Sequence, residues 1–196
     1  MNNIKIIVGL GNNIDKKFFG TRHNVGSDYV INLAKKFNKK FKKIKKFHGY
    51  ISNITFYNHK IILFLPDSFI NNSGKSIFTI VNFYKINLSN ILIIHDDIDF
   101  LPGIIRFKYG GSSGGHNGIN DIIKTFNSTL FYRLRIGVGH PKNKMLMNNF
   151  VLSYPTEIEK KNIDFAIKYS IKALFIFVKK NYNQAVTFLH TKKIIG

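Results

Sequence analysis

A chain of 196 residues with 44% hydrophobic content can bury one good core and is short for two, so one domain spanning residues 1–196 is expected. The absence of cysteine excludes disulfides and thiolate metal sites and fits a reducing cytoplasm. No apolar run is long enough to span a bilayer, no secretory-type leader opens the chain, and the formal charge of +20 suits a polyanionic partner such as nucleic acid. That charge has a second explanation. Lys, Asn, Ile and Phe dominate, all with codons that A and T alone can supply, so compositional drift would add lysines without any partner. Only individually placed basic residues therefore count toward recognition.

In chain order, Ile4 to Leu10 reads as a buried strand running into the turn Gly9-Leu10-Gly11-Asn12, the kind of strand end at which open α/β sheets bind ligands. Thr21-Arg22-His23-Asn24 then precedes a helix whose apolar face holds Val25, Tyr29, Val30, Leu33, Ala34 and Phe37. Asn24 is its expected N-cap, and His23 falls on the connection. Residues 35 to 47 alternate lysines with Phe37, Phe41, Ile44 and Phe47. A nucleic-acid strip and a solvated helix end both fit, and the second is preferred.

Tyr50 to Tyr57 and Lys60 to Leu65 form a hairpin through Asn58-His59, ended by Pro66. A polar loop from Asp67 to Ser76 leads into a helix carrying Ile77, Ile80, Val81 and Tyr84. Gly74-Lys75-Ser76 imitates the end of a phosphate-binding P-loop, but Phe69 stands where that motif needs its first glycine. Ile91 to Ile94 is a short buried strand that delivers His95-Asp96-Asp97-Ile98-Asp99. Oxygen ligands of this kind suit Mg²⁺ or Ca²⁺, yet the chain has only ten acidic residues and no second cluster to complete a shell. An aspartate that orients and charge-stabilises a histidine is the preferred role.

Ile104 to Tyr109 is a further strand, followed by Gly110-Gly111-Ser112-Ser113-Gly114-Gly115-His116-Asn117-Gly118 and a helix from about Gly118 with Ile119, Ile122, Ile123 and Phe126 inward. Glycines there allow positive φ and close approach of a ligand to the backbone, and His116-Asn117 at the helix entrance favours a site over a plain surface loop. Arg133 to Gly139 alternates as a strand with Arg133 and Arg135 on one face, two of only four arginines and so better candidates for phosphate recognition than any lysine. Thr156-Glu157-Ile158-Glu159 is a capping box opening a long helix, and Asn183 to His190 a short final one. Alternating strands and helices with an inserted hairpin predict an α/β domain: a twisted mixed sheet flanked by helices on both faces.

Two hydrolytic schemes compete. Gly110-x-Ser112-x-Gly114 and Gly111-x-Ser113-x-Gly115 match a serine-esterase nucleophile elbow, but a loop with five glycines and two serines matches by chance, and the triad would need His190 near the chain end. The other needs no covalent nucleophile. A histidine on a connection activates water, an aspartate holds the imidazole, and asparagine amides bind peptide groups; His23, Asp96, Asn12, Asn71 and Asn117 all fall on such connections.

Gly9-Leu10-Gly11-Asn12, Thr21-Arg22-His23-Asn24-x-Gly26, Pro66-x-x-Phe69-x-Asn71-x-Ser73-Gly74, His95-Asp96-x-x-Asp99, Gly114-Gly115-His116-Asn117-Gly118 and Arg133-Leu134-Arg135-Ile136-Gly137 together resemble the successive motifs of bacterial-type peptidyl-tRNA hydrolase, in order and across most of the chain. The resemblance implies a monomeric, metal-independent cytoplasmic esterase without cofactors that frees tRNA from stalled peptides. It makes His23 the general base and Asp96 the residue that orients it. Asn71 and Asn117 would bind the peptide main chain, with Phe18 and Phe69 also at the substrate, and Asn12 would distinguish blocked from free aminoacyl-tRNA. Lys108 and Arg135 match the family's basic pair for a tRNA phosphate. The chain departs from the pattern in three places: Asn13-Ile14 replaces the usual Pro-Gly with one extra residue before Thr21, Phe18 aligns with a tyrosine, and Ile70 stands where methionine is common. An RNA-binding module that kept the fold and lost turnover is the non-enzymatic alternative, against which the retained His23 and Asp96 argue.

Overall fold

A computed structural model describes residues 4–191, apart from 142, 144 and 145. The first strand, β1 (Ile6–Gly9), is followed by helix α1 (Val25–Lys36), then by strands β2 (Lys42–Ile44), β3 (Gly49–Phe56) and β4 (His59–Pro66) and helix α2 (Ser73–Phe83). Strands β5 (Ile91–Asp97) and β6 (Ile105–Tyr109), helix α3 (Asn117–Phe126) and strand β7 (Tyr132–Gly137) come next, and helices α4 (Met147–Val151), α5 (Glu157–Lys179) and α6 (Tyr182–Thr191) close the fold.

The seven strands form one mixed sheet in the order β2-β3-β4-β1-β5-β7-β6. β4, β1, β5 and β7 run parallel, while β2–β3, β3–β4 and β6–β7 pair antiparallel. Alternate residues of the central strands therefore face two cores. On one side Ile7, Leu63, Leu92, Ile94 and Leu134 pack with α1, α5 and α6. On the other, Ile6, Val8, Phe64, Ile91 and Ile93 pack with α2 and α3. This is the mixed sheet with helices on both faces that the alternation of elements predicts. No helix among the described residues is long and apolar enough to cross a membrane.

The lysine-rich stretch after residue 35 is not a helix end. α1 stops at Lys36, Asn38 takes a left-handed turn (φ 53°), and Lys42–Ile44 pairs with Gly49–Ile51 as the edge strand β2. The apolar residues explain the change, since Phe37 packs on Phe56 and Phe175 while Phe47 enters the opposite core, which a continuous helix cannot do. Exposed lysines on an edge strand also discourage pairing with other chains. The β5 strand runs three residues further than its apolar core suggests, because His95, Asp96 and Asp97 continue the ladder opposite Arg135, Ile136 and Gly137. The capping box forms as expected: Thr156 Oγ1 accepts from the Glu159 amide, and Glu159 accepts from the Thr156 amide.

Glycines set the spacing of the layers near the parallel strand ends. A Cβ on Gly26 would lie 2.2 Å from the Ile94 carbonyl oxygen and 2.7 Å from that of Leu10, so α1 can rest on β1 and β5 only because residue 26 has no side chain. Gly74 plays the same part between α2 and α3. Its amide donates to Asp121 (2.7 Å), and a Cβ there would meet Thr125 and Asp121. The P-loop imitation is thus a helix-packing contact. Gly26→Ala is expected to cost at least about 2 kcal/mol by overpacking against backbone, a fall of ~4–8 °C in Tm for a chain of this size. Thermal denaturation checks it, and an unchanged Tm would contradict so close an approach of α1.

Candidate active site

Asp96, near the end of β5, is 2% exposed and is held by two imidazoles. His23 lies on a short 3-10 turn (Arg22–Asn24) entering α1, and its Nδ1 sits 2.9 and 2.8 Å from the two Asp96 oxygens. His116, at the entrance to α3, places Nε2 2.9 Å from Asp96 Oδ1.

The hydrogen-bond directions fix the tautomers. His116 is the N-cap of α3, its Nδ1 accepting from the Ile119 amide at 3.2 Å, so the neutral ring carries its proton on Nε2 and donates it to Asp96. A carboxylate only accepts, so His23 donates through Nδ1, leaving the Nε2 lone pair as that ring's basic atom. Burial alone would depress the His23 pKa, but the Asp96 charge and hydrogen bond outweigh it and raise the ring above its ordinary value. Burial works on Asp96 in the opposite sense. The His23 and His116 interactions overcome it and hold the carboxyl well below the usual range, so it stays ionised. His95, on the neighbouring position of β5, donates Nδ1–H to the Asp96 carbonyl (2.7 Å) and meets the His116 ring edge-on at 4.8 Å. Burial, with His116 and Arg133 nearby, keeps it neutral.

His23, Asp96 and His116 are also the one group among the described residues close enough together to hold a metal ion. A cation there would have to replace both imidazole–carboxylate hydrogen bonds. His116, whose Nδ1 already accepts a backbone N–H, would then have to bind it as an imidazolate. The donor set suits proton transfer better than coordination.

These groups open into a pocket of about 220 Å³ lined by His23, Asp96, His116, Asn117, residues Ser113 to Gly115 of the loop and, from α4, Met147, Asn148 and Val151. Asn117 is exposed at the pocket wall. Gly118 lets the start of α3 meet the turn before α2, since a Cβ there would be 2.8 Å from the Ile70 oxygen; this brings exposed Asn71 toward Asn117. Asn12 is buried. Its Oδ1 accepts from the Ile70 amide and its own amide donates to Asn24 Oδ1, both at 2.8 Å, so it ties the β1 turn to the α2 entrance with its Nδ2 donors left over. Asn24 therefore does not cap α1 with its side chain, because its carbonyl serves Asn12. Phe18 and the exposed Phe69 meet edge-to-face (6.5 Å) on the same two connections.

The basic residues divide. Lys108, on β6, is half-exposed and reaches the Gly-rich loop, where a Cβ on Gly111 would lie 3.2 Å from its Nζ. Arg135 is pinned by Asp97 (Nε to Oδ2, 2.5 Å), with Asp99 at 3.8 Å, and its guanidinium lies over the Phe100 ring. Arg133 departs from expectation. It is 2% exposed and donates to the carbonyls of Gly110, Gly111 (2.9 Å) and Ser112 (2.8 Å), so it supports the loop from beneath and cannot reach a phosphate. The positive φ of Gly110 and Gly111 turns those carbonyls toward it.

The serine-esterase scheme finds no support. Both serines stop short of the α3 N-terminus that His116 caps, and His190 lies on α6, packed on α5 and β6. Sequence reasoning placed His116 at the site without assigning it a role, although a histidine at a helix entrance beside Asn117 was the available signal. α4 went unseen because five residues are too few to show a helical period.

The family model described as peptidyl-tRNA hydrolase matches residues 6–195. A peptidyl-tRNA hydrolase of Vesicomyosocius okutanii is 45% identical over 192 residues, covering 98% of this chain and 99% of its own, and one of Buchnera aphidicola (subsp. Cinara cedri) is 45% identical over 196, covering 100% and 99%. The crystal structure of peptidyl-tRNA hydrolase from Acinetobacter baumannii superposes with a TM-score of 0.95 at 38% identity, over 100% of this chain and 98% of that one. A family-model match over residues 6–195, full-length sequence matches and a fold match of that order place the chain in the peptidyl-tRNA hydrolase family.

Proposed function

We propose that the protein hydrolyses the ester joining a peptide to its tRNA, with His23 as general base and no metal. The observation that carries this reading is the buried Asp96 carboxylate receiving His23 Nδ1–H, which leaves Nε2 as the basic atom beside a pocket walled by amides and glycine backbone. His23 Nε2 takes a proton from water as the oxygen attacks the ester carbonyl. The tetrahedral intermediate then expels the ribose oxygen, which receives the proton back, giving free tRNA and a peptide acid.

Asn117 and Asn71 hold the peptide groups next to the ester, and Asn12, oriented by Ile70, offers its amide donors to the carbonyl that only a blocked amino acid carries. Phe18 and Phe69 form an apolar wall beside them. Phe18 supplies contact without the hydroxyl that a tyrosine would bring. Lys108 and Arg135 take a phosphate of the tRNA. Activity of this kind belongs to a monomer acting in the cytoplasm, where its substrate arises when translation stalls.

His23→Ala is expected to lower turnover by roughly 10²–10⁴-fold while tRNA binding persists, measured by ester cleavage of N-acetylaminoacyl-tRNA alongside a binding assay. Near-full activity would remove His23 from the mechanism. The pH profile tests the pairing. The base must be neutral, so the rate falls as pH drops through the raised His23 pKa, and the acidic limb lies above the ordinary imidazole value. In Asp96→Asn the charge that favours the imidazolium is gone and burial remains, so the limb moves to lower pH as the maximal rate falls, by less than in His23→Ala. An unmoved limb would count against the interaction.

Lys108→Ala should weaken tRNA binding and reduce its salt slope by about one charge. Arg135→Ala should do the same but also destabilise the fold, since it strips Asp97 of its partner. If lysines of residues 35–46 carry the salt dependence and Lys108 does not, recognition is diffuse.

A further inference from the structure

Arg22 directly precedes the proposed base, in a chain of net charge +20. The structure places it inside. It is 6% exposed, its guanidinium lies 4.3 Å from the centre of the Phe150 ring, Nη1 donates to Ser153 Oγ and the Tyr154 carbonyl (both 2.7 Å), and Nη2 pairs with Glu159 at 2.7 Å. Its own amide donates to the Ser153 carbonyl at 3.1 Å, and Tyr154 returns a hydrogen bond to the Lys17 carbonyl at 3.2 Å. Glu159 belongs to the capping box that starts α5. One side chain thus joins the turn that carries His23, the end of α4 and the first turn of α5.

α4 is the consequential partner. Met147, Asn148 and Val151 form one wall of the pocket that His23 and Asp96 line, and the helix is too short to hold itself in place. Phe150 faces Arg22 from the same helix, and Ser153 and Tyr154 lie just beyond its end. We infer that Arg22 is a positioning residue: it fixes the α4 wall at a set distance from the His23 turn and so sets the fit of the pocket to the acyl end of the substrate. The inference rests on the hydrolase reading above. Guanidinium geometry is required, because stacking on a ring while serving three acceptors through two nitrogens is beyond a lysine ammonium.

A wall that touches substrate equally in the ground and transition states changes KM and leaves kcat in place. Arg22→Lys should therefore raise KM for N-acetylaminoacyl-tRNA by about three- to tenfold, the equivalent of one or two lost contacts, with kcat within about twofold and the acidic limb unmoved. Amide hydrogen exchange in residues 147–154 should quicken. Loss of folded protein alone would lower the apparent kcat and leave KM unchanged, which separates positioning from simple destabilisation. Phe150→Leu, which keeps the ion pair and removes the ring, should reproduce the KM effect and serves if Arg22→Lys does not fold. An unchanged KM in the folded variants, or a fall in kcat with a shifted pH profile, would overturn the inference. Wild-type protein that fails to cleave the ester would instead overturn the function it rests on.

Discussion

The site depends on keeping one carboxylate ionised where water barely reaches it. An isolated charge at the position of Asp96 would be costly and would protonate, and two imidazole donors make the ionised form the stable one. Each donor comes from a separate helix entrance. Asp96 is consequently the point at which α1, α3 and β5 are brought into register, and the geometry of the candidate site and the local packing are the same set of contacts. His116 serves both, since one ring nitrogen binds the carboxylate and the other caps the helix that begins with Asn117.

Around this point the backbone is brought closer than side chains would ordinarily permit. Gly26 allows α1 to rest on the ends of β1 and β5, Gly118 lets α3 touch the α2 entrance, and Gly74 lets α2 and α3 touch one another. Asn12 and Asn24 then link the β1 turn to both neighbouring connections through amide hydrogen bonds. The altered turn after Asn12 is held in the same manner. Asn13 donates to the Pro66 carbonyl at 3.0 Å, and Asp15 accepts from the Lys17 amide, so the extra residue is absorbed with fixed contacts on both sides. The Asn13-Ile14 turn is therefore held by a side-chain tether to the end of β4.

What could be read from the sequence follows the range of each signal. Apolar periodicity located β1, α1, α2, α5 and the β3–β4 hairpin, whose turn is Tyr57-Asn58 instead of Asn58-His59 because His59 already pairs with Phe56 and both turn residues take positive φ. Ordered motifs marked His23, Asp96, Asn71 and Asn117 as candidates, because local patterns and short motifs survive without three-dimensional information. The errors arose where a long-range contact decides. Residues 42–44 look like the lysine-rich end of a helix until Phe37 and Phe47 are seen to enter opposite cores. Arg133 and Arg135 share one strand face and an equal charge, yet one lies beneath a loop and the other is paired with Asp97 over the Phe100 ring. Nothing in the alternation of β7 distinguishes them, since the difference is made by the carbonyls of residues 110–112, more than twenty positions away.

The buried Arg133 also changes the meaning of the Gly-rich loop. Such a loop suggests a backbone waiting for an anion to order it, and several lysines nearby would strengthen that impression. Here the loop carbonyls already converge on a guanidinium, so its shape is set before any substrate arrives and its ordering cost is met on folding. A cation beneath the loop and Lys108 beside it leave positive potential at its surface with few acceptors free on the inner side. The loop is therefore a preformed rim, with the half-exposed Lys108 beside it and Arg135 locked to Asp97. Of the +20 carried by the chain, part is fixed in place by short-range contacts, at Arg133 beneath this rim and at Arg135 against Asp97, while exposed lysines act at long range and are weakened by salt.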